Sequence, residues 1–248
     1  MLPSKKSSTV NDSSSRGRRR HRRPRAFTLI ELLVVIAIIA LLISIIVPTL
    51  SKVKRLAYKI ICLSNMRQMG ISLVMYQSDH DEKLPPSSCR LDDPNQFWLC
   101  LLNEQIAEQL IFRCPADRSE NFLDFERLGP ASELGDYRWS SFATNGYFDN
   151  PKYTSYTNIL KVPEPDRCVF ICELLSDPTM NGVDHVHPDM WHHAEQLKTQ
   201  VAWDRHDGKS NYLFVDGHAE TLDWKETFDF PTVNLWNPQT APRWPPGR

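Results

Sequence analysis

The hydrophobic residues of this chain are concentrated in one long run near the N-terminus. Residues 27–50 are almost entirely apolar, and Glu31 is the only charged residue among them. At about 1.5 Å per residue, a helix of this length covers roughly 36 Å, which is enough to cross a hydrocarbon core of about 30 Å. A buried helix of a soluble protein is the alternative, but such a helix rarely lacks a polar stripe over about six turns. The run therefore predicts a transmembrane helix.

The helical pattern continues beyond this run, but there it becomes amphipathic. Between residues 51 and 77 the apolar side chains recur at spacings of three and four, which is typical of a helix with one buried face. Leu84, Pro85 and Pro86 then end the element. We expect one helix from about residue 28 to 77, roughly 75 Å long, whose amphipathic half belongs to the segment 51–84 and packs against a globular head.

The segment 85–228 is predicted to form this head, with an α+β fold built on an antiparallel sheet. Its clearest element is a β-hairpin, because two apolar segments flank Asp216 and Gly217. An Asp-Gly pair between strands favours a type I′ turn, in which both central residues have positive φ. In that arrangement Val215 pairs with His218.

The charges of the chain are segregated. The whole sequence carries 29 Lys and Arg against 30 Asp and Glu, for a net charge of -1. Residues 1–26 hold nine basic side chains and one acidic one, so the remainder of the chain is acidic. An acidic body argues against a nucleic-acid partner. The excess of basic residues before the apolar run places the N-terminus in the cytoplasm and the head outside.

Both ends of the chain are low in complexity. The leader 1–26 is rich in Ser and Arg, and the segment 229–248 is rich in Pro. We expect the C-terminal segment to be an extended or loosely held tail. The leader is interpreted as a cytoplasmic segment that is removed at maturation; an anchor for anionic lipids and a mis-assigned start codon are the alternatives.

The junction between leader and apolar run contains a specific motif. A secretory signal peptide has an apolar region of about 7–15 residues and a small-residue cleavage site, and this chain fits neither condition. Instead, basic residues precede Ala26, and the sequence Phe-Thr-Leu-Ile-Glu follows from Phe27. This resembles the type III signal of type IV prepilins and of the pseudopilins of type II secretion. The resemblance implies cleavage by a prepilin peptidase between Ala26 and Phe27 and N-methylation of Phe27, although Ala26 stands where the family usually has Gly.

The resemblance also assigns roles to two residues inside the apolar run. A carboxylate within a membrane is costly and is retained with a partner or a function. In pilins the residue corresponding to Glu31 is thought to meet the N-terminal amine of a neighbouring subunit during assembly. A Glu31 side chain that reaches the membrane surface without a partner is the alternative. Pro48 removes a backbone donor and is expected to kink or loosen the helix.

A second motif lies in the head. His206 is followed after nine residues by Asp216 and Gly217, which resembles the H-X9-DG motif of prepilin-processing-associated proteins. The Cys-Pro-x-Asp stretch at 114–117 and a strand ending in Glu173 resemble the same group. If the hairpin is extended straight back from its turn, His206 lies roughly 30 Å from Asp216, although a bend at Asp207-Gly208 would shorten this distance. We therefore interpret His206 as a packing or capping residue rather than as part of a catalytic pair.

Histidine residues cluster in the segment 184–206. His-x-His and His-His pairs can supply metal ligands, and imidazole ligands favour Zn²⁺. Some pilin-like heads bind Ca²⁺ instead. No ordered ligand spacing is present, so the expectation is a surface loop without a cofactor, with a metal site as the alternative. The candidate ligands are His185, His187, His192 and His193.

The six cysteines have no C-x-x-C spacing, which argues against a zinc ribbon or a thioredoxin-like site. A head outside the cytoplasm would be in an oxidising compartment, where disulfides persist. The family resemblance favours a Cys62–Cys114 bridge, and six free thiols are the alternative. Cys168 and Cys172 lie on a predicted strand at 167–175 and are expected to face the same side, about 13 Å apart.

Together these features predict a structural protein rather than an enzyme: a subunit or accessory of a type II secretion or type IV pilus-like assembly. The expected location is the inner membrane, with a single pass at 27–50 and the head in the periplasm or outside the cell. The expected partners are the prepilin peptidase and methylase, the same or other pseudopilins, and inner-membrane lipid. The alternative is a membrane-tethered envelope protein whose head binds metal, glycan or another ligand, with or without catalysis.

Overall fold

The protein is described by a computed structural model, in which the chain divides into two compact units, 1–48 and 49–248. Cleavage-site residues Ala26 and Phe27 lie outside the described residues, as does the whole leader. The structure describes residues 28–87, 98–106, 109–122, 137–149, 156–229 and 232–239.

In the first unit, the described residues form the beginning of helix α1, which spans Leu29–Asp79. The predicted helix of about 28–77 is therefore confirmed. Its N-terminal residues are exposed and apolar, and among the described residues α1 is the one helix long and apolar enough to cross a membrane. Pro48 lies inside α1, and the helix continues through it.

In the second unit, one face of α1 is buried against the head, as the amphipathic pattern predicts. Its buried side chains recur at helical spacing because a helix presents one face every three or four residues. The buried residues are Cys62, Met66, Met69, Gly70, Ser72, Leu73, Tyr76 and Gln77.

The described strands of the head are β1 (Phe142–Asn145), β2 (Val169–Glu173), β3 (His185–Val186), β4 (Ser210–Phe214), β5 (Ala219–Leu222), β6 (Phe228–Asp229) and β7 (Val233–Asn234). The first five form one sheet with the strand order β3-β1-β2-β4-β5, and β6 and β7 form a separate antiparallel pair. The β1–β2, β2–β4 and β4–β5 pairs are antiparallel, whereas β3 pairs with β1 in parallel. The α+β, pilin-like arrangement is thus confirmed, with a mixed sheet instead of a purely antiparallel one.

Short helices complete the head. They are α2 (Trp98–Ile106), α3 (Ala194–Lys198) and α4 (Trp224–Thr227), with 3₁₀ turns at Gln109–Phe112, Gly146–Phe148, Ile159–Lys161, Pro178–Met180 and Pro188–Met190.

Hydrophobic clusters cover both faces of the sheet. The first includes the buried face of α1 with Trp98 and Phe112, and the second includes Trp191, Tyr212 and Trp236. Because both faces are covered, β1, β2 and β4 are buried along their whole length, including their polar residues.

The C-terminal segment departs from the expected loose tail. Among its described residues, Leu235 and Pro238 are buried in the head, and Trp236 is fully buried. The Asn145 side-chain amide donates hydrogen bonds to the backbone oxygens of Val169 and Trp236, at 2.8 and 2.7 Å. These bonds join the segment to the sheet, so proline content was a poor guide to its packing.

The prediction that Cys168 and Cys172 face the same side of the sheet is wrong, because β2 contains an irregularity. The register between β2 and β4 shifts between Val169 and Ile171, which adds one residue to β2 relative to its neighbour. Phe170 and Ile171 consequently both belong to the cluster beside α1. Cys168 belongs to that cluster and Cys172 to the opposite one, so these two buried, free cysteines lie on different faces of the sheet.

The β4–β5 hairpin is present, but its register differs by one residue from the prediction. Leu213 pairs with Ala219, and the Phe214 amide donates to the His218 oxygen at 2.9 Å, so Val215, Asp216 and Gly217 form a three-residue loop. Gly217 has φ +90°, whereas Asp216 does not have positive φ. The loop is therefore not the predicted type I′ turn, in which both central residues have positive φ. Positive φ at Gly217 itself is confirmed.

Candidate functional site

A buried disulfide joins α1 to the head. Cys62, on the buried face of α1, is bonded to Cys114, which confirms the pairing that the family resemblance favours. His206 lies against it, with Nε2 3.8 Å from the Cys114 sulfur. The same Nε2 is 2.8 Å from Oε1 of Glu173, at the end of β2. All four residues are buried, so four polar or sulfur-bearing side chains from different parts of the chain meet inside the head.

The carboxylate of Glu173 is held at both oxygens. Oε2 accepts hydrogen bonds from the Ser210 hydroxyl at 2.9 Å and the backbone amide of Asn211 at 3.0 Å. Burial alone would raise the pKa of Glu173, but the hydrogen bond to His206 and the charge of Arg205 outweigh it, so this pKa lies below its ordinary value. An ionised Glu173 fixes the position of the His206 ring beside the disulfide.

His206 and Asp216 do not form a pair. The Asp207–Gly208 turn, with both residues at positive φ, reverses the chain directly after His206. The Asp216 carboxylate instead lies 2.6 Å from Nδ1 of His218. His206 is buried and hydrogen-bonded, which agrees with its interpretation as a packing residue.

A second buried cluster contains three charged side chains. Arg138 Nη2 donates to Asp117 Oδ2 at 3.0 Å, and Nη2 of Arg205 lies 3.5 Å from the same oxygen. The side chains of Asp117 and Arg138 are fully buried and that of Arg205 is 3% exposed. Ser119 and Ser176 donate hydrogen bonds to the other oxygen of Asp117.

The two arginines also bind the backbone, since both donate to the oxygen of Leu174, directly after β2. The Cys-Pro-x-Asp motif indicates Asp117, but no sequence motif indicates its two arginine partners. A buried arginine has no local pattern, because its partner lies far away in the sequence.

The four candidate histidine ligands do not converge. His185 pairs with Asp184 at 2.8 Å, and its ring meets that of His187 edge-on at 4.7 Å. His192 and His193 are exposed beside the start of α3. Among the described residues, the group of His, Cys, Asp or Glu whose ligand atoms lie close enough to hold a metal is Cys62, Cys114, Glu173 and His206.

At the start of α1, Thr28 and Glu31 form a reciprocal capping arrangement. The backbone amide and the hydroxyl of Thr28 both donate to Glu31 Oε2 at 2.8 Å, and the Glu31 amide donates to the Thr28 hydroxyl at 3.2 Å. The Thr-x-x-Glu spacing before an apolar run is the sequence signal of such a capping box. Glu31 therefore has a local partner in the isolated chain.

The segment that contains this cap matches a known family model. The model, described as the prokaryotic N-terminal methylation motif, covers residues 21–47. Over these 27 of its 248 residues, the chain is type IV pilin-like. The match includes Ala26, Phe27 and Glu31. Together with the apolar part of α1, it indicates a membrane-anchored protein.

No curated protein and no solved structure matched the pilin-like chain. The matched segment ends before Pro48 and before the head, so the H-X9-DG interpretation still rests on the residues themselves.

Proposed function

We propose that this protein is a structural, non-catalytic subunit or accessory of a type II secretion or type IV pilus-like assembly. The observation that carries the proposal is the methylation motif, which spans the leader boundary and the beginning of α1. In this proposal the chain is made as a prepilin, cut between Ala26 and Phe27 and methylated on the Phe27 amine. Its partners are the prepilin peptidase and methylase, other copies or other pseudopilins, and inner-membrane lipid.

The proposed topology is a single pass through the inner membrane with the head outside the cytoplasm. The basic leader supports it, since positively charged segments are retained on the cytoplasmic side. The buried Cys62–Cys114 disulfide supports an external head, because disulfides persist in oxidising compartments and are rare in the cytosol.

The processing step has a direct test. We expect the protein isolated from its own membrane to begin at Phe27 and to carry a methylated α-amine. Intact mass and N-terminal peptide mass spectrometry measure both features. A native protein that retains Met1, or that is cut on the C-terminal side of the apolar run, would contradict the proposal.

The proposed role of Glu31 in assembly can be separated from its role in the helix cap. We expect Glu31→Gln to insert into the membrane normally, because it removes a charge from lipid and retains an oxygen that can accept from Thr28. Assembly into multimers, measured by cross-linking in membranes, should be lost if the carboxylate pairs with the Phe27 amine of a neighbour.

Thr28→Ala is the matched control for this test. It removes the hydroxyl of the cap, at a cost of about 1 kcal/mol of helix stability, but keeps the carboxylate, so multimers should persist. The reverse result, in which Glu31→Gln assembles normally and Thr28→Ala does not, would assign Glu31 to the cap alone.

A further inference from the structure

The buried cluster around the disulfide contains a complete set of zinc ligands. The sulfurs of Cys62 and Cys114, a ring nitrogen of His206 and a carboxylate oxygen of Glu173 all lie within 4.8 Å of one another. Two thiolates, one imidazole and one carboxylate are ligand types that bind Zn²⁺ with tetrahedral geometry. The disulfide prevents this use of the cluster, because bonded sulfurs cannot act as two thiolate ligands.

The positions of the ligand atoms are close to those of a tetrahedral site. Zinc bonds of about 2.0–2.3 Å place neighbouring ligand atoms roughly 3.3–3.8 Å apart. His206 Nε2 is 3.8 Å from the Cys114 sulfur and 2.8 Å from the Glu173 oxygen. Only small movements of these atoms are needed, and the main change is the separation of the two sulfurs.

The surroundings of the cluster also suit a metal. Ser210 and Asn211 hold the Glu173 oxygen that does not face His206, which is how outer hydrogen bonds orient a carboxylate ligand. The four residues come from α1, the segment after the 3₁₀ turn at Gln109–Phe112, β2 and the turn before β4. They are 0–3% exposed, so a bound ion would be shielded from water.

We propose that reduction of the Cys62–Cys114 bond converts this cluster into a zinc site, with Cys62, Cys114, His206 and Glu173 as the ligands. A dithiol reductant supplies two electrons and forms its own disulfide, which leaves two cysteine thiols. Zn²⁺ then replaces the two thiol protons, which are released to solvent. The disulfide and the metal thus become alternative links between α1 and the head.

The test uses the full chain in detergent, in oxidised form and after reduction with a dithiol that is removed without oxygen. Zn²⁺ alone is the ligand, and bound metal is measured after gel filtration. We expect one Zn²⁺ per reduced chain, none at this site in the oxidised chain, and slower alkylation of Cys62 and Cys114 when zinc is present. His206→Ala and Glu173→Gln should each weaken binding at least about tenfold.

The matched control is the double variant His192→Ala and His193→Ala, which removes two exposed imidazoles outside the cluster and should bind zinc like the unchanged chain. Co²⁺ gives a measurement that requires no substitution: a tetrahedral thiolate site should produce charge-transfer and visible absorption only after reduction. The proposal is overturned if the reduced chain binds no zinc, if zinc leaves cysteine alkylation unchanged, or if Co²⁺ shows no thiolate absorption.

Discussion

The Asp117→Asn variant is expected to lose about 3–5 kcal/mol of unfolding free energy, because removing one partner from a buried ion pair leaves uncompensated charge. Here two guanidinium groups depend on the same carboxylate. Arg138 and Arg205 lie 3.0 and 3.5 Å from Asp117 Oδ2, with almost no exposure to water. Asparagine keeps the size of the side chain and can still accept from the serines, so the loss would come from the charge.

Denaturant unfolding of the full chain in detergent, with the disulfide intact, measures this loss. Glu195→Gln is the control, because Glu195 forms an exposed ion pair with Lys198 at 3.0 Å and such pairs contribute about 0–1 kcal/mol. A loss for Asp117→Asn no larger than that of Glu195→Gln would show that the buried cluster does not stabilise the fold.

The same cluster sets a pH dependence. Burial alone would raise the pKa of Asp117, but the charges of Arg205 and Arg138 outweigh it and hold this pKa well below the ordinary aspartate range. A carboxylate with a lowered pKa stabilises the folded state fully above its unfolded pKa of about 4. Its contribution decreases as the pH falls below that value. The difference in unfolding free energy between the unchanged chain and Asp117→Asn should therefore shrink in acid.

The parts of this protein that could be predicted from sequence are those set by neighbouring residues. The extent of α1 follows from a helical repeat, and the motif around Glu31 is contiguous. The Cys62–Cys114 bond is predicted by the family resemblance and not by the spacing of the cysteines. The buried arginines could not be found, since nothing near Arg138 indicates that it meets Asp117.

The predicted register of the β4–β5 hairpin is wrong for a similar reason. An Asp-Gly pair signals a turn but does not state how many residues lie in it, and the loop at Asp216 and Gly217 contains one residue more than predicted. A one-residue change moves every following side chain to the other face of a sheet. The type I′ signature fits Asp207 and Gly208 instead, where both residues have positive φ.

The corrected hairpin explains why glycine occupies two distant positions. The loop after β4 lies directly against α1: a Cβ added to Gly70 would be 2.0 Å from the Gly217 oxygen, and one added to Gly217 would be 2.7 Å from Val74 Cγ2. Gln77 also donates to the Val215 oxygen at 3.1 Å. The helix and the hairpin thus approach backbone to backbone, which side chains at these positions would prevent.

Alanine substitutions at three glycines separate this contact from backbone strain. Gly208 has φ +82° with no atom within 4 Å of an added Cβ, so Gly208→Ala should cost only the strain of about 1–2 kcal/mol. Gly217→Ala, at φ +90°, should cost this strain and about 1–3 kcal/mol more for overpacking against α1. Gly70→Ala should destabilise by overpacking alone, although alanine is better than glycine in an open helix by about 1 kcal/mol.

The double variants make the contact itself measurable by denaturant unfolding. Once one added Cβ has separated α1 from the hairpin, the second meets less resistance, so Gly70→Ala combined with Gly217→Ala should cost less than the sum of the single changes. The costs of Gly70→Ala and Gly208→Ala should be additive, because a Cβ added at Gly208 meets no atom within 4 Å and so touches nothing that Gly70 contacts. Additivity in both pairs, or a Gly217→Ala cost equal to that of Gly208→Ala, would mean that the helix does not lie against this loop. Non-additivity in the first pair alone would establish that the glycine of the H-X9-DG stretch serves to bring the sheet onto α1, the same helix that the disulfide ties to the head.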